Sequence, residues 1–149
     1  MTVEPEIYKV KRARILHREV FLESAKSELG EYAKLFTEGG DFSTKNRGEE
    51  LRFRLVKFDK DYLIAEIIEE IQKADFALPL AQDAVWFAAQ HPEPQMKFPV
   101  AFLHEPWISP TTGGQNSLIL RSYGGLRFLH MHLFDSRWYS HIRFAVIEK

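Results

Sequence analysis

Apolar positions in the middle of the chain fall at helical spacing. In "DKDYLIAEIIEEIQKAD" (59–75), Ile64, Ile67, Ile68 and Ile71 share one face, while Glu66, Glu69, Glu70 and Lys73 fall on others. This predicts an amphipathic helix, with Asp59 or Asp61 as its cap. "ALPLAQDAVWFAAQHPEP" (77–94) predicts a second helix, with Pro79 near its first turn, an apolar series Leu80, Ala84, Val85 and Ala88, and a stop at His91-Pro92-Glu93-Pro94. A short link around Phe76 to Leu78 joins the two.

After Pro94 the pattern changes to β-branched and aromatic runs separated by turn signals: "KFPVAFLHE", "NSLILRSY", "LRFLHMHLF" and "RWYSHIRFAVI". They predict a four-stranded antiparallel meander. Gly124-Gly125 suits a two-residue turn in which both positions take positive φ, and Asp135-Ser136 marks the next reversal. "PWISPTTGGQN" (106–116) is longer than a hairpin needs and carries Trp107, which makes it the candidate functional loop.

The first third is less regular. "EELRFRLVKF" (49–58) alternates Leu51, Phe53 and Leu55 with Arg52 and Arg54, as a strand with one wet face does. "SAKSELGEYAKLF" (24–36) predicts a helix capped by Ser24 and ended by Gly39-Gly40. Residues 6–22 fit helix or strand, and the Lys, Arg, Glu and Ala between their apolar positions favour helix. The expected fold is therefore a single α+β domain over residues 1–149. In it the C-terminal meander is packed on its oily side by the two central helices, and the N-terminal part adds a helix and an extra strand.

Composition narrows the chemistry. A chain of 149 residues suffices for one ordinary core. With no cysteine, disulfides and thiolate chemistry are excluded, and any metal would rest on His and carboxylate. Neither a signal-peptide pattern nor an apolar run of spanning length occurs, so a cytoplasmic protein without membrane contact is expected. The net charge of -1 is uneven: 12 Lys/Arg against 10 Asp/Glu over 1–58, 2 against 8 over 59–96, and 6 against 3 over 97–149. An acidic middle argues against a chain that is basic throughout, and leaves a local basic face possible.

Strand periodicity gathers the candidate site. His130 and His132 must share one side of the sheet. If Asp135-Ser136 is a two-residue loop, His132 lies opposite Tyr139 and His130 opposite His141. Pairing across Gly124-Gly125 adds Arg121, Tyr123 and Phe128 to that side, and Arg143 completes it. The other side collects Leu118, Leu120, Leu129, Met131, Leu133, Trp138, Ile142 and Phe144.

Three functions suit such a surface. His130, His132 and His141, with Glu105 or Asp135, could hold zinc or iron in a hydrolase-like enzyme. Arg121, Arg143, Tyr123, Phe128 and the histidines could form a platform for an anion or single-stranded nucleic acid. The favoured reading is a binding module whose protein partner or second copy packs on this face, where Tyr, Trp, Phe and Arg are enriched. Lys9, Lys11, Arg12, Arg14 and Arg18 read as a solvated helix, "GGDFSTKNRG" lacks phosphate-loop order, and Ser117 lacks a nucleophile elbow.

Overall fold

The computed structural model describes residues 1–12, 48–108 and 113–149. Its elements are β1 (Thr2–Val3), β2 (Tyr8–Lys11), β3 (Glu50–Lys57), α1 (Ile64–Lys73), β4 (Phe76–Ala77), α2 (Ala81–Gln90), a single turn α3 (Pro94–Lys97), β5 (Val100–Ile108), β6 (Gln115–Tyr123), β7 (Leu126–Leu133) and β8 (Arg143–Glu148). All strands join one sheet in the order β1-β3-β8-β5-β6-β7. Within it β2 pairs with β3 beyond β1, and β4 pairs with β8 beyond β5. Every pairing is antiparallel except β5 with β8, which is parallel.

The α+β character expected from the sequence is present, but the arrangement differs in three ways. First, the helices do not share a face. α2 packs on the side carrying Phe53, Leu55, Val100, Phe102, Leu118, Leu120, Leu129, Ala145 and Ile147. α1 packs Ile67 and Ile71 on the opposite side, against Val56, Ala101, Leu103, Ile119, Phe144 and Val146. The sheet is thus a middle layer with a core on each face. Each fully buried aliphatic side chain there contributes about 1.5–3 kcal/mol.

Second, β5, β6 and β7 form a three-stranded meander, and the fourth strand leaves it. The Gly124-Gly125 turn is as expected, with φ of 56° and 80°, and the register Tyr123↔Leu126, Arg121↔Phe128 and Ile119↔His130 follows. At Asp135-Ser136 the chain does not form a hairpin. Residues 134–142 instead cross the α1 side of the sheet, and β8 enters between β3 and β5. Nine residues span at most about 30 Å, which leaves enough length to pass two strands with a turn at each end of the segment. Trp138 holds the crossing down. It is buried against Phe144, its indole N–H donates to the Phe134 carbonyl at 3.1 Å, and its main chain exchanges hydrogen bonds with Tyr62.

Third, Tyr8–Lys11 is strand β2 rather than helix, since its edge groups find partners in α2: Gln90 bonds the Lys11 N–H and carbonyl, and His91 donates to the Lys9 carbonyl. Smaller differences follow. Leu63, the residue before α1, supplies no side-chain cap, and Asp61 accepts the Ser140 N–H instead. The link at Phe76–Ala77 pairs as β4, and β5 runs on to Ile108, so Pro106 to Ile108 of the expected Trp107 loop are strand and residues 109–112 lie outside the described ones. The helix expected over 24–36 and the remainder of 6–22 and 38–47 lie outside the described residues. The strand expected around Phe53 is β3 as read.

Candidate functional site

The strand directions bring six strand termini to one end of the sheet: the starts of β1, β5, β7 and β8 and the ends of β3 and β6. Among the described residues, Lys57, Lys97, Arg121 and Arg143, drawn from β3, α3, β6 and β8, stand at this end, as does Arg127 at the start of β7, which donates to the Ala88 carbonyl. Lys57, Lys97, Arg121 and Arg143 each line a cavity that Phe98, the residue that stops α3 in extended conformation, lines as well. A groove of about 500 Å³ is lined by Lys57, Phe58, Asp59, Lys97, Phe98, His141 and Arg143, among others. A smaller cavity of about 130 Å³ adjoins it, lined by Lys97, Phe98, Arg121 and Tyr123 together with Gln95. Lys97 and Phe98 belong to both.

Arg143 is already engaged: it stacks 4.5 Å over the Phe98 ring, pairs with Glu4 and donates to the His141 carbonyl at 2.9 Å. Lys57, Lys97 and Arg121 have no acidic partner within ion-pair distance among the described residues. Where charges elsewhere do pair, as in Arg52 and Arg54 with Glu148, the partners sit at the far end of the sheet. The chain has nearly balanced charge overall, yet among the described residues cations outnumber carboxylates at this end, where Glu4 pairs with Arg143 and Asp59 lines the larger groove.

The surface expected from the sequence divides into three parts. Tyr123, Phe128 and His130 form one ring cluster beside Arg121, with Tyr123 stacked on His130 at 6.0 Å and centroids of Phe128 and His130 5.4 Å apart. His141 and Tyr139 stack on each other at 6.0 Å in the crossing segment, and His141 reaches the larger groove with Arg143. His132 belongs to neither, being held 4.2 Å from Trp138 with Nε2 2.7 Å from the Ser136 hydroxyl. Burial, then the Arg121 charge, push His132 below the ordinary imidazole pKa, against a main-chain hydrogen bond at Arg137. The backbone of Trp107 lies in β5 opposite Asn116, and its side chain is outside the described residues.

Because β7 and β8 do not pair, the register that would set His141 opposite His130 is absent. Among the described residues no group of three or more His, Asp or Glu is placed to hold a metal ion. The Ser136–His132 contact has the spacing of a nucleophile and base, but Ser136 also meets the Leu133 carbonyl at 2.7 Å as turns do, and neither groove described above reaches it. Ser117 is buried. Lys9 and Lys11 lie on β2, and Arg12 is buried in a pair with Asp83.

Lys57, Lys97 and Phe98 are the site residues that sequence reasoning missed. Each sits at the end of an element, where composition carries no signal until the strand order is known. No protein-family model, curated protein or solved structure matches the chain. Among the described residues no helix is long and apolar enough to cross a membrane.

Proposed function

We propose that this protein is a cytoplasmic binding module whose ligand is anionic and sits at the sheet end around Phe98. The observation that carries this is the convergence of Lys57, Lys97 and Arg121 on two adjoining cavities without acidic partners among the described residues. Cations left without acidic partners along one end of the sheet raise the local positive potential, and an anion bound there lowers it. The face read from the sequence enters in part: Arg121, Tyr123, His141 and Arg143 border this site.

Retention on a phosphate-bearing resin tests the proposal. The intact chain is nearly neutral, so retention must come from a local patch. The triple variant Lys57→Ala/Lys97→Ala/Arg121→Ala is expected to elute at clearly lower salt than wild type, whereas Lys73→Ala/Lys149→Ala, which removes cations paired elsewhere, stays closer to it. Equal elution of the two variants rejects the site.

A second reading, a protein partner or a second copy, is favoured by the outer edge of β7, where no described strand pairs and Leu126 and Leu133 are more than half exposed. Light scattering across a concentration series tests self-association through this edge.

A further inference from the structure

Resting on the anion-binding reading above, we infer that the ligand is single-stranded nucleic acid, held by its phosphates along the strand ends with a base against Tyr123. The layout of the cations decides between a compact anion and a chain. Lys57 lines only the larger groove, Arg121 only the smaller cavity, and Lys97 stands between them in both. A small phosphate ester or carboxylate calls for donors that meet at one point. Cations strung out one after another suit a polymer with repeating charge.

The rings decide between kinds of polyanion. Phe98 lines both cavities under the Arg143 guanidinium, and Tyr123, 56 % exposed, borders the smaller one with its ring backed by His130 and Phe128. Cations alternating with aromatic surface are what a strand of unpaired nucleotides requires, since each base offers a π-face and each linkage a charge. A double helix buries its base faces and cannot use the rings. Neither cavity has the extended apolar lining that an acyl chain would need: Lys57, Asp59, Lys97, Ser140, His141 and Arg143 contribute to the larger one.

The test is fluorescence anisotropy of a labelled oligouridylate of about eight nucleotides with the full chain, competed by inorganic polyphosphate of equal charge and by duplex DNA. Two or three phosphate contacts predict a slope of about -1.4 to -2.1 in log K against log salt, hence roughly 7- to 20-fold weaker binding between 50 and 200 mM. Lys97→Ala should lower the slope by about 0.7. Tyr123→Ala should weaken the oligonucleotide about tenfold or more and leave polyphosphate unchanged. Both side chains are exposed, and circular dichroism confirms that the variants are folded.

If polyphosphate or duplex competes as well as the oligonucleotide, or if Tyr123→Ala changes nothing while Lys97→Ala weakens every anion, the nucleic-acid inference is overturned and the anion site stands. If no polyanion binds, or Lys97→Ala is without effect, both are overturned.

Discussion

Two single residues carry more of this fold than their types suggest. Arg12 lies buried at the start of the excursion between β2 and β3, where its Nε and Nη2 donate to the two oxygens of Asp83 at 2.9 and 2.8 Å and its Nη1 to Glu49 at 2.7 Å. Asp83 is fully buried and also accepts the Leu80 N–H, so it ties the first turn of α2 to the sheet. Arg12→Ala strands that carboxylate and is expected to cost about 3–5 kcal/mol in urea unfolding. Arg12→Met combined with Asp83→Leu should recover much of the loss, because the uncompensated charge is gone.

His104 occupies the irregular stretch where β5 leaves register with β6. Its Nδ1 must donate to the Glu105 carbonyl at 2.6 Å, so its Nε2 is the acceptor of the Leu118 N–H at 3.2 Å, and the ring is neutral. Burial holds its pKa below the ordinary imidazole value, outweighing the Glu105 contact. More than about one unit above the ordinary imidazole pKa of about 6.5 it is neutral in both states and contributes no pH dependence. Below that, the unfolded chain takes up a proton that the folded one refuses, so stability falls with pH, by up to about 1.4 kcal/mol per unit for this residue. His132 acts in the same direction. Urea midpoints at pH 7.5 and 5.5 should therefore differ in wild type and differ less in His104→Gln. An unchanged difference in the variant removes His104 as a cause.

At the scale of elements, what the sequence made legible was whatever depends on near neighbours in the chain. The α1 stripe is an example: Ile67 and Ile71 are buried while Glu66 and Glu69 are exposed. The Gly124-Gly125 hairpin is another, since positive φ at two successive positions is a local demand that glycine meets. Asp135-Ser136 carried a similar turn signal and misled. Ser136 does close a turn onto the Leu133 carbonyl, by both its N–H and its hydroxyl, but Trp138 then draws the chain across the sheet rather than back along β7. A clue was present. "VAFL", "LIL" and "FAVI" are apolar without alternation, as strands covered on both faces are, whereas "LRFLHMHL" alternates as a strand covered mainly on one face does. Such runs call for cover on both faces of the sheet.

For the whole molecule, the last strand in sequence is central in space. β8 lies between β3 and β5, bonds also to β4, and supplies Phe144 and Val146 to one core and Ala145 and Ile147 to the other. A chain ending at Ile142 loses these contacts together and exposes two strand edges at once. It is expected to lack cooperative thermal unfolding, as followed by circular dichroism. A sharp transition near the wild-type temperature would disprove the strand order. The same topology builds the site, because β8 must start where β3 and β6 end for Arg143, Lys57 and Arg121 to stand around Phe98.

Sequence alone determined the mixed α+β class, the two central helices, the strand at Phe53, the hairpin at Gly124-Gly125 and the common side of His130 and His132. All of these follow from periodicity and from backbone freedom at single positions, which act over a few residues. Tertiary structure decided which face each helix covers, where β8 inserts, and that His141 travels to the strand ends instead of facing His130. Those outcomes rest on pairing and burial between segments tens of residues apart, where an apolar run fits more than one neighbour and only the completed sheet selects among them.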